Sequence, residues 1–287
     1  MIVVTGYASL DHVAVLDGSP RPGRTTTILD RPENAWPRLG GAPAYVTSAL
    51  VASGVADAYP VSWIGNDAGG ETYRSQLAER GIPAAGLAVI EGARTPVAVL
   101  AYEPDGGCFC LYDPGMPAGL TLVDAQRSLV ARADWVCVTI GPPRATEAVL
   151  ENLRPETKLA WVVKHDPRAL STALARELAG RSDLICCSRA ERAFVDDMLP
   201  AEPRERQILI ETQGGEGAAL TRDGMTSFVP ATPIALSDPT GAGDTFAAGV
   251  LAALAGGATE PAVILQAGHR AAAALLGARR TIEMESA

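Results

Sequence analysis

Lysine is almost missing from this chain. Only Lys158 and Lys164 occur in 287 residues, and nearly all other positive charge is arginine. Neither lysine follows a G-x-x-x-x-G segment, so a phosphate loop that uses lysine on the β- and γ-phosphates is absent. No G-x-G-x-x-G opens a helix, which removes the usual dinucleotide fingerprint. Cysteine is sparse as well. There are five, none forms C-x-x-C, and Cys137, Cys186 and Cys187 lie inside apolar runs, so reduced, partly buried thiols are expected. His12, His165 and His269 do not cluster with them in sequence, which argues against a zinc site. No basic run interrupts a balance of 24 Lys plus Arg against 33 Asp plus Glu, a net charge of −9. Such a surface repels phosphodiester backbones and anionic lipid heads, so neither nucleic acid nor a membrane is an expected partner. No apolar run approaches the roughly 20 residues that span a bilayer. The segment Met1–Gly6 lacks a basic start and breaks its apolar run at Gly6, so it reads as a strand and not a signal peptide. The expected location is the cytoplasm.

What is present is a chain with 47% hydrophobic residues, enough to bury a sizeable core. Its length suits one large α/β domain, read as a single unit over 1–287. Apolar runs at 135–140, 159–163, 184–187 and 208–210 alternate with helical stretches near 145–153, 169–179 and 189–198. Strands separated by one helix each need crossovers, and crossovers give a parallel sheet covered on both faces. Two segments break this rhythm. Residues 12–38 are rich in Thr, Pro and Arg, with alternation at Thr25–Leu29, and 95–112 reads as a hairpin around Pro104-Asp105-Gly106-Gly107. Such strands pair with each other as a small sheet, useful as a flap over the carboxyl ends of the main strands.

The segment richest in chemistry is Asp238-Pro239-Thr240-Gly241-Ala242-Gly243-Asp244, which follows a strand and opens a helix. First-turn amides and the positive end of the helix dipole make an anion site suited to phosphate. A carboxylate beside an anion site is costly, and a general base that takes a proton from an attacking hydroxyl supplies a reason for it.

Here the sequence resembles the PfkB (ribokinase-like) family of carbohydrate and nucleoside kinases. Asp238–Asp244 is similar to the family's C-terminal signature. Thr212-Gln213-Gly214-Gly215-Glu216-Gly217 resembles its T-x-G-x-x-G nucleotide loop, Gly40-Gly41-Ala42-Pro43-Ala44 its di-glycine motif, and Gly65–Gly70 its G-x-D-x-x-G turn. The likeness covers nearly the whole chain in the right order. It implies a three-layer α/β/α sandwich with a mostly parallel central sheet and a small β-sheet lid built from about 12–38 and 95–112.

The implied activity is transfer of the γ-phosphoryl group of ATP to an alcohol of a sugar or polyol. Asp244 is the expected base, and the amides of Gly241, Ala242 and Gly243 the expected anion hole. Asp11, Gly40, Gly41 and Tyr45 are expected at the acceptor. Thr212, Gly214, Gly215, Gly217 and His269 are expected at the nucleotide, and Glu191 near the metal through water. ATP, Mg2+ and a monovalent cation such as K+ are the implied cofactors, and a homodimer through the lid the implied assembly. For Asp11, spacing alone equally allows a turn residue after the first strand. For His269, an exposed patch on an Ala-rich helix competes with a nucleotide contact. Tyr45 and Ser188 stand where the family usually has Asn, so contacts there must differ. A nucleoside kinase with Tyr45 stacking on base or ribose, and a catalytically silent ligand-binding relative, are the alternatives.

Overall fold

The computed structural model describes residues 1–202, 204–232, 234 and 238–286. The chain starts with β1 (Ile2–Thr5), β2 (Ser9–Leu16), β3 (Ile28–Asp30) and β4 (Arg38–Gly40), then α1 (Ala42–Ala52), β5 (Ala58–Gly65), α2 (Ala68–Glu79) and β6 (Leu87–Ile90). A hairpin, β7 (Val97–Tyr102) and β8 (Cys108–Asp113), follows. The βα rhythm then runs through α3 (Asp124–Val130), β9 (Trp135–Val138), α4 (Pro143–Asn152), β10 (Lys158–Val162), α5 (Thr172–Arg181), β11 (Leu184–Ser188), α6 (Arg192–Met198) and β12 (Ile208–Thr212). Last come β13 (Gly217–Arg222), β14 (Met225–Pro230), α7 (Ala242–Ala255) and α8 (Pro261–Ser286).

Among the described residues, nine strands form one sheet in the order β14-β13-β12-β11-β10-β9-β1-β5-β6. All neighbours are parallel except at the β12–β13–β14 end. The reason lies in the two faces of each strand. Ile2 and Val4 pack with Val46, Leu50, Phe246, Val250 and Ile264 from α1, α7 and α8. Val3 points the other way, into Leu129, Val149, Leu178 and Val195 from α3 to α6. Buried on both sides, such strands read as unbroken apolar runs, and only crossovers can join them. No helix of the described residues is long and apolar enough to cross a membrane.

The second sheet has the order β3-β2-β7-β8, with β4 also paired to β2. Its centre is β2, which runs parallel to β7 and antiparallel to β4, opposing Asp11 to both Ala98 and Arg38. Two expectations change here. The first small-sheet strand begins at Ser9 rather than near 12, so Asp11 is a strand residue and the turn reading fails. The strand expected at Thr25–Leu29 covers only Ile28–Asp30, every residue of it exposed; Pro20, Pro22 and Gly23 precede it and no core face lies beneath to extend it. Asp67 ties the two sheets together. It caps α2 by accepting from the Gly70 amide (2.8 Å), and it also accepts from the Thr95 amide (2.9 Å) and hydroxyl (2.6 Å) just before β7.

Candidate active site

Helix α7 starts where the local sequence forces it to. Gly241 is its N-cap at φ 76°, in the left-handed region that glycine enters without steric cost. A Cβ built there would fall 2.5 Å from the Tyr45 ring, so the loop also needs a bare Cα at this point. Of the three expected amides, that of Ala242 donates to the Pro239 carbonyl at 3.1 Å. The amides of Gly241, Gly243 and Asp244 have no backbone acceptor among the described residues and remain available to an anion. Gly243 has ordinary helical backbone, and a Cβ there would meet nothing within 4 Å. Its glycine is explained by open space over the loop, not by backbone geometry.

The Asp244 carboxylate makes no hydrogen bond or ion pair among the described residues. Burial pushes its pKa up to about 6; Asp11 and Glu191 act in the same direction, and Lys164 opposes them. A carboxylate poised near neutrality beside free helix amides is suited to accepting a proton while the amides hold an anion.

On the acceptor side, Asp11 is buried and its carboxyl is held above the usual range by burial, against hydrogen bonds from Ser9 and Tyr45 and the charge of Arg38. Ser9 Oγ donates to Oδ1 (2.6 Å) and the Tyr45 hydroxyl to Oδ2 (3.0 Å). The room that Gly40 leaves goes to this same group, since a Cβ there would sit 2.1 Å from Asp11 Oδ1. At Gly41 the space goes to the Tyr7 carbonyl, 2.3 Å from a built Cβ. Both glycines therefore admit protein atoms, whereas the family resemblance led to expecting room for substrate. Tyr45 is buried too, its ring against Gly241, so it joins Asp11 to the glycine loop. Tyr7 and Tyr112 form an accessible aromatic pair, centroids 6.1 Å apart and tilted by 56°.

The expected nucleotide loop sits at the far end of the sheet. Thr212 ends β12, Gly214 and Gly215 lie exposed in a 3-10 turn, and Gly217 is buried at the start of β13. Arg189 braces the turn through a two-pronged pair with Glu216 (2.7 and 2.9 Å) and a bond to Gln213 (2.7 Å). Glu191 Oε2 accepts from the Ser188 amide (3.0 Å) and hydroxyl (2.8 Å), so Ser188 fixes this carboxylate where Asn was expected. Its Oε1 has no partner among the described residues. His269 bonds the Val229 carbonyl (3.1 Å) and packs edge-on to Phe246, which places it between α8 and β14 instead of in an exposed patch.

Three residues escape a reading from sequence. Lys164 follows β10, is exposed, and its charge acts on Asp244 and on Cys108 and Cys110 of β8. Its rarity and its place after a strand were the available signals. Arg38 and Arg279 carry no such signal. Arg38 pairs with Asp238 at 2.7 Å, and Arg279 reaches the carbonyls of Asp238 and Thr240. Tyr102 of β7 bonds the Thr240 hydroxyl, so the small sheet touches the loop directly. A cavity of about 870 Å3 lies behind the loop between α1, α7 and α8, with Tyr45 and Thr245 in its wall. Asp244 does not line it.

A model of the pfkB family carbohydrate kinases matches residues 1–287. A fructokinase of Klebsiella pneumoniae is 29% identical over 237 residues, 75% of this chain and 76% of that protein. A nucleoside kinase of Methanothermobacter thermautotrophicus is 25% identical over 268 residues, 90% of this chain and 83% of its own length. Among solved structures, a nucleoside kinase of Methanocaldococcus jannaschii, described as an archaeal member of the ribokinase family, superposes with TM-score 0.77 at 19% identity, covering 96% of this chain and 91% of that one. A Burkholderia thailandensis nucleoside kinase in complex with inosine gives TM-score 0.76 at 18% identity, covering 95% and 90%. These likenesses establish the ribokinase fold, with its large mostly parallel sheet and separate small one.

Proposed function

Because the chain belongs to the pfkB family of carbohydrate kinases, a family of phosphotransferases with alcohol acceptors, we propose that it moves the γ-phosphoryl group of ATP to a hydroxyl of a sugar or polyol. The observation that carries this reading is the unpartnered Asp244 carboxylate, raised to about 6, beside the free amides that open α7. Asp11 receives hydrogen bonds from acceptor hydroxyls with the lone pairs that Ser9 and Tyr45 leave open. Asp244 takes the proton of the attacking hydroxyl, and the amides of Gly241 and Gly243 hold the transferring group as charge builds on it. Lys164 adds positive charge on the same side of the sheet. Thr212, Gly214, Gly215 and Gly217 border the nucleotide, and the small sheet serves as the lid that keeps water out.

Among the described residues no group of three His, Cys, Asp or Glu side chains is arranged to hold a metal by itself. Magnesium fits in a different way, held largely by nucleotide phosphates and by hard oxygen donors, for which the free Oε1 of Glu191 is available through water. When bound, the ion neutralises phosphate charge. Five free thiols suit the reducing cytoplasm. Leu29 and Leu111, 65% and 66% exposed on the small sheet, support a homodimer through the lid.

A second reading has its own observation. Tyr112 lies within the reach of Asp11's charge, and the Tyr7–Tyr112 pair offers flat faces for a nucleobase, with the ribose at Asp11. The test is a phosphorylation screen with Mg·ATP over sugars, polyols and nucleosides, read by product mass. A phosphorylated sugar supports the first reading and a nucleoside monophosphate the second. Binding of an acceptor without any transfer returns the silent-relative alternative.

A further inference from the structure

The segment that leads into the glycine loop is held from behind by two guanidinium groups. Arg279 of α8 donates from Nη1 to the carbonyls of Asp238 (2.9 Å) and Thr240 (2.7 Å), and the same nitrogen lies 3.5 Å from Asp238 Oδ2. Arg38 of β4 donates to that carboxylate oxygen at 2.7 Å. The side chains of Arg279 and Asp238 are 12% and 5% exposed, so bulk water contributes little to this arrangement. The Tyr45 ring, which supports Gly241 from below, lies 6.0 Å from the Arg279 guanidinium. Two carbonyls and a carboxylate converging in a dry place form the hard oxygen set that a small cation takes. Here the chain fills it with its own cation.

We propose that Arg279 is a positioning residue that acts as a built-in cation, fixing Asp238–Thr240 and so aiming the Gly241 and Gly243 amides, and that transfer therefore needs no monovalent cation. The inference rests on the kinase reading above. The monovalent ion that the family resemblance implies does not fit this chain. Among the described residues, the loop oxygens that converge there are already bonded, and the ion would add a third positive charge to Arg38 and Arg279 where Asp238 and Asp11 stand opposite. The clamp differs from a remote structural contact because Thr240, one of its acceptors, also meets the lid at Tyr102.

The test titrates wild type and Arg279→Ala with KCl, NaCl, guanidinium chloride and choline chloride at equal ionic strength. Melting temperature, ATP affinity and turnover are measured in each. Wild-type turnover should agree within about twofold across the inorganic salts and choline, and a K+ requirement of about tenfold or more would overturn the proposal. Arg279→Ala should lose about tenfold or more in kcat with little change in the Michaelis constant for acceptor. It should regain part of that loss in low-millimolar guanidinium or in K+, but not in choline. Unchanged turnover in Arg279→Ala, or a loss that no small cation restores, would also overturn it. Where Arg279→Ala does not fold, Arg279→Lys keeps the charge and is expected to retain more activity than Arg279→Met, and equality of those two counts against the proposal. If wild type phosphorylates nothing, the kinase reading fails. The clamp is then judged by melting temperature alone, which K+ should raise in Arg279→Ala and leave unchanged in wild type.

Discussion

Two glycines two residues apart in the glycine loop have different reasons to be glycine, and substituting each with alanine separates those reasons. At Gly241 the backbone is left-handed at φ 76°, and a methyl group would lie 2.5 Å from Tyr45 Cδ1. Holding alanine in that conformation costs about 1–2 kcal/mol. Tyr45 cannot move aside freely, because its hydroxyl is bonded to Asp11, and overpacking a fixed neighbour costs about 1–3 kcal/mol. Gly241→Ala should therefore destabilise by about 2–5 kcal/mol, a fall in melting temperature on the order of 10 °C. At Gly243 the backbone is helical and a methyl group meets nothing within 4 Å. Gly243→Ala should leave stability unchanged or raise it by up to about 1 kcal/mol. Its methyl group would project over the loop where the proposed mechanism puts the transferring group, so turnover should fall on the order of 10–100-fold through misplacement. The assay is thermal unfolding and steady-state turnover on both variants in parallel. A Gly241→Ala protein that melts like wild type would refute the packing argument. A fully active Gly243→Ala would refute the position assigned to the phosphoryl group.

The Asp244 carboxylate must be ionised to accept a proton, so turnover should rise with pH through about 6 and level off above it. Lys164 lowers the pKa of that carboxyl, so Lys164→Met should move the rising limb to higher pH; an unmoved limb would separate Lys164 from the base. Tyr45→Phe removes a hydrogen bond to the buried Asp11, which should cost about 1–3 kcal/mol and raise the Michaelis constant for acceptor while leaving that for ATP unchanged. Parallel changes in both constants would make Tyr45 a packing residue only. Asp67→Ala removes the cap of α2 and the two bonds that join it to Thr95 before β7, so hydrogen exchange should speed up across 95–102 before the main sheet is affected.

The layers of this fold were legible because their causes are local. An apolar run such as Leu184–Cys187 is buried on both faces wherever it sits, and the turn at Gly241 is encoded by its own residues. The β13–β14 pair was legible in principle, since Asp223-Gly224 between Thr221 and Thr226 is a hairpin signal. The support of the site was not legible. Arg38 meets Asp238 across 200 residues of chain, and Arg279 meets Thr240 across 39, with nothing in either local pattern to mark them. Tyr45 shows the same limit. Its position beside the di-glycine motif suggested the acceptor, yet its partners are Asp11 and the flank of Gly241, both distant in sequence. Long-range polar contacts depend on the finished fold, and no periodicity reports them.

The most direct test of the central claim is the turnover of Asp244→Asn with Mg·ATP and the best acceptor from the screen, followed by mass detection of the phosphorylated product. Asparagine keeps the shape of the side chain and removes its basicity, so the variant should melt and bind ATP like wild type while losing several orders of magnitude in transfer. Turnover within about tenfold of wild type would contradict the account, because some other group would then be taking the proton.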